Sequence, residues 1–106
     1  MAETPQRRTR KEPRISCTMP VIINNMLTCT AFDLSEGGLY INTSEGMFQG
    51  RVVTVSIESG AESLELKARV KHVLEGVGSG LMFIDLDNIL KNKIRKIVAE
   101  VEKAAG

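Results

Sequence analysis

Between Leu64 and Lys71 the chain reads Leu-Glu-Leu-Lys-Ala-Arg-Val-Lys, apolar and charged residues in strict alternation. A helix would spread those four apolar side chains around its circumference, whereas an extended strand gathers them on one face. The segment is therefore a half-buried strand, and its neighbours must supply the rest of a core. The same period of two begins at Ile15, where Ile15, Cys17, Met19, Val21 and Ile23 alternate with other residues. Asn24-Asn25 then supplies residues that tolerate the left-handed backbone of a tight hairpin. Leu27, Cys29 and Ala31 resume the odd-numbered stripe. Both stripes share one face if Val21 lies opposite Cys29, which selects a three-residue loop. In that register Cys17 and Cys29 are not opposite each other, so reduced, buried thiols are expected.

Further strands follow at short intervals. Asp33 to Gly38 reads as a polar, glycine-rich turn before a short strand over Leu39 to Asn42, and Thr43 to Gly50 reads as a loop. Arg51 to Ile57 points Val53, Val55 and Ile57 inward, and Ser59-Gly60 marks the next turn. His72 falls at the end of the Leu64 to Val70 stripe, as a structural or surface residue. A loop over Glu75 to Ser79 leads to a last strand over Gly80 to Asp85. Six strands with short connections suggest an all-β core, a six-stranded antiparallel β-barrel. The period then changes. Leu90, Ile94, Ile97, Val98 and Val101 form one helical stripe, with Asp87 or Asn88 as its cap. That helix packs across the barrel; its rival use is a partner or homodimer interface. With 106 residues there is length for one domain. It divides into a basic arm (1–14), a barrel (15–87) and a C-terminal helix (88–106).

The inventory of reactive side chains argues against an enzyme. His72 is the only histidine, no Cys-x-x-Cys pair exists, and no Ser or Cys nucleophile has an evident base. No metal or cofactor is therefore expected. No apolar run approaches a membrane span, and the polar, basic N-terminus does not read as a signal peptide, so the expected location is the cytoplasm. The formal net charge of +1 conceals an uneven layout. Arg7, Arg8, Arg10, Lys11 and Arg14 against Glu3 and Glu12 give the first 14 residues a net +3, and the rest of the chain is net −2.

Two short patterns carry more than background. In Arg10-Lys11-Glu12-Pro13-Arg14, Pro13 pushes Glu12 toward extended geometry, so two arginines four apart project from a non-helical segment. An arginine fork pairs bidentately with phosphate and with the O6/N7 edge of guanine. In Asp33-Leu34-Ser35-Glu36-Gly37-Gly38, Asp33 offers acceptors suited to guanine N1 and N2, Ser35 a hydroxyl, and the glycines room for a turn or a close approach. Taken singly, the first reads as a solvated tail and the second as a Ser or Asx turn closing a hairpin.

Taken together, Arg-x-x-x-Arg before the first strand and Asp-x-Ser-x-x-Gly at the end of the second resemble the PilZ domain family. Gly80-Leu81-Met82-Phe83 is similar to a late strand of that family, and the likeness runs from Arg10 to the C-terminal helix. The resemblance implies the same barrel and helix. It also implies a non-catalytic protein that binds cyclic di-GMP through Arg10, Arg14, Asp33, Ser35 and Gly38 and passes the signal to a downstream effector protein. Thr9, Lys11 and Glu12 depart from residues common in the family, which bears on affinity and stoichiometry. The arm, polar by composition, is expected to be disordered until ligand folds it onto the barrel. Two alternatives stand beside this one. A nucleic-acid-binding barrel would use all five arm cations on phosphates, but the acidic body and the scarcity of aromatic residues oppose it. A PilZ-like adaptor without ligand would act through protein contacts alone.

Overall fold

The computed structural model describes residues 15–59 and 62–105, so the basic arm, Arg10 and Arg14 included, lies outside the described residues. Six strands follow in order: β1 (Ile15–Ile23), β2 (Leu27–Leu34), β3 (Gly38–Ile41), β4 (Val52–Ser59), β5 (Glu62–Leu74) and β6 (Gly78–Ile84). Among the described residues one helix follows them, α1 (Asn88–Ala105). Every strand pair is antiparallel, and the order β1-β2-β3-β6-β5-β4 closes on itself through β1 and β4. The expected barrel and terminal helix are both present.

The first hairpin follows from side-chain parity. Val21 pairs with Cys29 and Ile23 with Leu27. The three-residue loop between them holds Asn24 and Asn25 at φ 54° and 59°, a conformation asparagine adopts at little cost. Asn24 also stitches the barrel shut: its N–H donates to the Thr54 carbonyl at 2.8 Å, and its Oδ1 accepts the Thr54 N–H at 2.9 Å.

Inside the barrel, Met19, Val21, Ile23, Ala31, Val53, Val55, Ile57, Leu64, Leu66, Ala68 and Val70 are buried as the alternation requires. Helix α1 adds Ile94, Ile97 and Val98, with Leu90 and Val101 packed at the margin, and lies against β1 and β5. Its apolar stripe is thus spent on the barrel itself. Burial of about 2 kcal/mol per such residue, rather than helix propensity, holds the helix in place. The cap is Asp87, whose Oδ1 accepts the Leu90 N–H at 2.8 Å.

Simple alternation fails at three bulges. On β2 Phe32 is exposed as the alternation requires, but a shift between Ala31 and Asp33 turns Leu34 inward, against the odd-numbered pattern. On β5 a shift between Val70 and His72 ends the buried stripe at Val70 and hands it to Val73, so His72 faces solvent. The start of β6 also differs from expectation. Gly76, at φ 76°, closes a tight turn, and the strand begins at Gly78 rather than after Ser79. Ser79 is fully buried and donates to the Thr43 carbonyl at 2.7 Å. The strand ends at Ile84, because Asp85 turns the backbone to φ 56° ahead of the helix.

Candidate functional site

Strands β2 and β3 are joined at one end of the barrel by Ser35, Glu36 and Gly37. Ser35, just past β2 and buried, organises this turn. Its N–H donates to the Gly38 carbonyl at 2.9 Å, while its Oγ accepts the N–H groups of Gly37 at 3.1 Å and Gly38 at 3.2 Å. This is the Ser turn that sequence alone allows, with both amides satisfied by one hydroxyl. The Gly37 carbonyl accepts from Phe83 N–H at 2.8 Å, which fastens the turn to β6.

Gly38 opens β3 opposite Met82. A methyl group at this position would run into the Leu81 carbonyl oxygen of β6. The space made by the absent side chain is filled by the neighbouring strand, a packing reason for glycine that sequence could not separate from an opening for ligand. Asp33 is half-buried near the end of β2, paired with Ser16 of β1 on one side and Tyr40 of β3 on the other. The structure thus sets Asp33 at the end of β2, Ser35 in the turn and Gly38 at the start of β3, so the sequence-expected turn over Asp33 to Gly38 is shorter, with Asp33, Leu34 and Gly38 in strands. It also starts the barrel beside them, since Ile15, the first residue of β1, pairs with Leu34.

Helix α1 borders the turn, a relationship with no signal in the sequence beyond two cations four residues apart on one helix face. Arg95 Nε meets Glu36 Oε1 at 3.2 Å, a solvent-exposed pair that contributes little to stability. Between turn and helix lies a cleft of about 290 Å³ lined by Glu36, Gly37, Leu86, Lys91 and Arg95. Two cations and one carboxylate line it, a balance suited to an anionic group.

Elsewhere the reactive inventory is quiet. Burial raises the pKa of Cys29, which lies opposite Val21 and is a free thiol. Among the described residues, no group of three His, Cys, Asp or Glu could hold a metal ion, and no helix is long and apolar enough to cross a membrane.

These features define a class: a small closed antiparallel barrel with an Asp-x-Ser-x-x-Gly turn beside the entry of its first strand and a helix laid against it. The chain belongs to the PilZ domain family, whose model matches residues 8–100, a span that takes in Arg10 and Arg14 as well as the turn. No curated protein matches the sequence. Among solved structures, the PilZ domain of CeSA from a cellulose-synthesizing bacterium superposes with a TM-score of 0.72 at 22% identity, over 85% of this chain and 98% of that one. The PilZ domain of YcgR from Escherichia coli, solved with c-di-GMP, gives 0.72 at 16% identity, over 91% and 93% of the two chains. The Bacillus subtilis inhibitor of motility MotI/DgrA gives 0.74 at 16% identity, over 91% of this chain and 50% of that longer one. At such identities the likeness is one of fold.

Proposed function

We propose that this chain is a cyclic di-GMP receptor of the cytoplasm, acting by binding rather than by catalysis and relaying ligand occupancy to a partner protein. One observation carries the reading: the pairing of Ile15 with Leu34 makes the residue that follows the Arg-x-x-x-Arg segment a direct neighbour of the Asp-x-Ser-x-x-Gly turn. Arg14 is one residue from that pairing, and Arg10 is at most about 14 Å of extended chain further on, so both arginines can reach a ligand held at the turn. The c-di-GMP bound by the YcgR domain of the same fold supports the choice of ligand.

In this reading the two guanidinium groups clamp phosphate oxygens and guanine O6/N7 edges, and the Asp33 carboxylate accepts from a guanine N1–H and N2–H. Ser35 and Gly38 hold the wall of the site in shape. Lys91 and Arg95, across the cleft of about 290 Å³, add positive charge next to a dianion.

Isothermal titration of the full chain with cyclic di-GMP tests the proposal and yields affinity and stoichiometry together. At ligand concentrations about 100 times Kd, the folded state gains about 2.7 kcal/mol, which a melting curve registers. Arg10→Ala and Arg14→Ala each abolish that binding. Titration with DNA at several salt concentrations separates the nucleic-acid alternative, in which losing one of five arm cations changes little and affinity falls steeply with salt. No heat and no melting shift at saturating cyclic di-GMP would refute the receptor and leave the ligand-free adaptor.

A further inference from the structure

The outer face of the β4–β5 hairpin is divided by charge. Toward the hairpin tip it presents Glu58 and Glu65, and toward the base Lys67, Arg69 and Lys71, all of them exposed. Among the described residues none of these acids pairs with any of these bases; Arg69 instead donates to the Gly50 carbonyl at 2.9 Å. The cross-strand pairs are Ser56 with Glu65, Thr54 with Lys67 and Glu58 with Ser63, which set these three charges beside neutral hydroxyl residues, while Arg69 lies opposite Val52. Exposed charges satisfied within one molecule need no second explanation; here opposite charges two residues apart on one strand remain unmatched.

The acidic half also contains a groove. It has a volume of about 560 Å³, with Pro20 and Ile22 of β1 and Leu64 of β5 in its lining and Glu58 and Glu65 among its polar members. Ile22 is 39% exposed there and Val52, in the basic half, 45%. In the middle of this wall β4 is paired on both sides, with β5 and with β1, so a partner laid over the face meets it through side chains.

We infer that this wall docks against the same wall of a second copy of this chain, with the acidic half of each copy over the basic half of the other. A surface whose halves are complementary in charge is complementary to itself under a twofold rotation. With the axis running across the hairpin at the level of the Val55–Leu66 pair, residues equally far on either side of that level face each other between copies. Lys67 of each copy then opposes Glu65 of the other, Val52 opposes Glu58, and Arg69 opposes Ser63 within reach of Glu58. Each contact occurs twice, as an isologous interface requires. The groove on this wall shares no lining residue with the Ser35–Gly38 turn, and dimerisation here does not depend on the ligand.

Sedimentation velocity of the full chain over a concentration series tests this, with a Kd of roughly 10⁻⁶ to 10⁻⁴ M expected for charge-led contacts around a small apolar patch. Dissociation should increase with salt. Glu65→Lys and Lys67→Glu each place like charges together twice per dimer and should weaken association by about tenfold or more. The double variant Glu65→Lys/Lys67→Glu exchanges the halves and should restore it. A charge swap that restores association identifies the two residues as facing each other, which no effect on monomer folding mimics. Circular dichroism melts of all three variants confirm the fold. A wild type that stays monomeric throughout the series, single variants that associate like wild type, or a swap that fails to rescue overturns the proposal.

Discussion

Replacing Gly38 with alanine adds one methyl group at a point where the barrel has no room for it. The new carbon falls on the carbonyl oxygen of Leu81, a backbone atom of β6 that no rotamer change can move aside. Relief requires β3 and β6 to separate at the Gly38–Met82 pair, and β3 is held to β6 by four residue pairs from Gly38 to Ile41. The Phe83 N–H bond to the Gly37 carbonyl is in the path of that movement. Overpacking costs about 1–3 kcal/mol and each backbone hydrogen bond loosened about 1 kcal/mol more, for a total of about 3 kcal/mol. At roughly 4–8 °C per kcal/mol for a domain of this size, Tm should fall by on the order of 15 °C in a circular dichroism melt. Gly46→Ala is the internal comparison. Gly46 sits at φ 72°, and a methyl group added there would meet nothing within 4 Å, so only backbone strain of about 1–2 kcal/mol applies. A Gly38→Ala protein that melts within about 3 °C of wild type, or less changed than Gly46→Ala, would refute the collision argument.

Three further outcomes follow from named contacts. Ser35→Ala removes the acceptor of two backbone N–H groups in the turn and should lower stability by about 1–2 kcal/mol in urea denaturation; an unchanged midpoint contradicts the role given to the hydroxyl. Asp87→Ala removes the cap of α1 and should cost about 1 kcal/mol with fraying of the first helical turn in hydrogen exchange, while Asp87→Asn retains most of the stability. Burial raises the Cys29 pKa in the folded state, so the unfolded chain releases that proton first. The thiol's contribution is therefore complete below its unfolded pKa, about 8.5, and declines as pH rises toward the folded value. Denaturation midpoints should fall over that alkaline window in wild type and by less in Cys29→Ala.

Much of the barrel was legible because burial imposes parity. Two apolar stripes share one face in an even-sum register such as Val21 opposite Cys29, and that pairing is the one observed. Bulges escape this logic, since one additional residue changes which face a side chain takes without changing its chemistry. That is why Leu34 turned inward and His72 outward against the alternation. The beginning of β6 was hidden for another reason. Gly78 and Ser79 look like loop residues, yet Gly78 is small because the Tyr40 ring and the Ile41 carbonyl occupy the place of its side chain, and Ser79 is polar because it donates to Thr43. Their partners are more than 30 residues away, beyond the reach of any local pattern. Of the candidate site, the clustering of Asp33, Ser35 and Gly38 could be read from spacing, whereas Lys91 and Arg95 came to border the turn only through the docking of α1.

The residues of the Asp-x-Ser-x-x-Gly turn therefore differ in what their substitution can reveal. Ser35 spends its oxygen on Gly37 and Gly38, and Gly38 yields its side-chain volume to β6. Changing either one disturbs the turn before any ligand is present, so lost affinity in those variants reports shape as much as contact. Lys91 is different, because it is exposed and has no ion pair among the described residues. A Lys91→Ala protein with wild-type Tm and weaker binding of cyclic di-GMP points to electrostatics alone. Screening then provides the check: the affinity difference between Lys91→Ala and wild type should shrink as salt shortens the Debye length from about 10 Å at 0.1 M to about 3 Å at 1 M. A difference that persists undiminished at high salt would mean that Lys91 acts through packing or a desolvated contact, and the cleft would have to be reassigned as part of the binding surface itself.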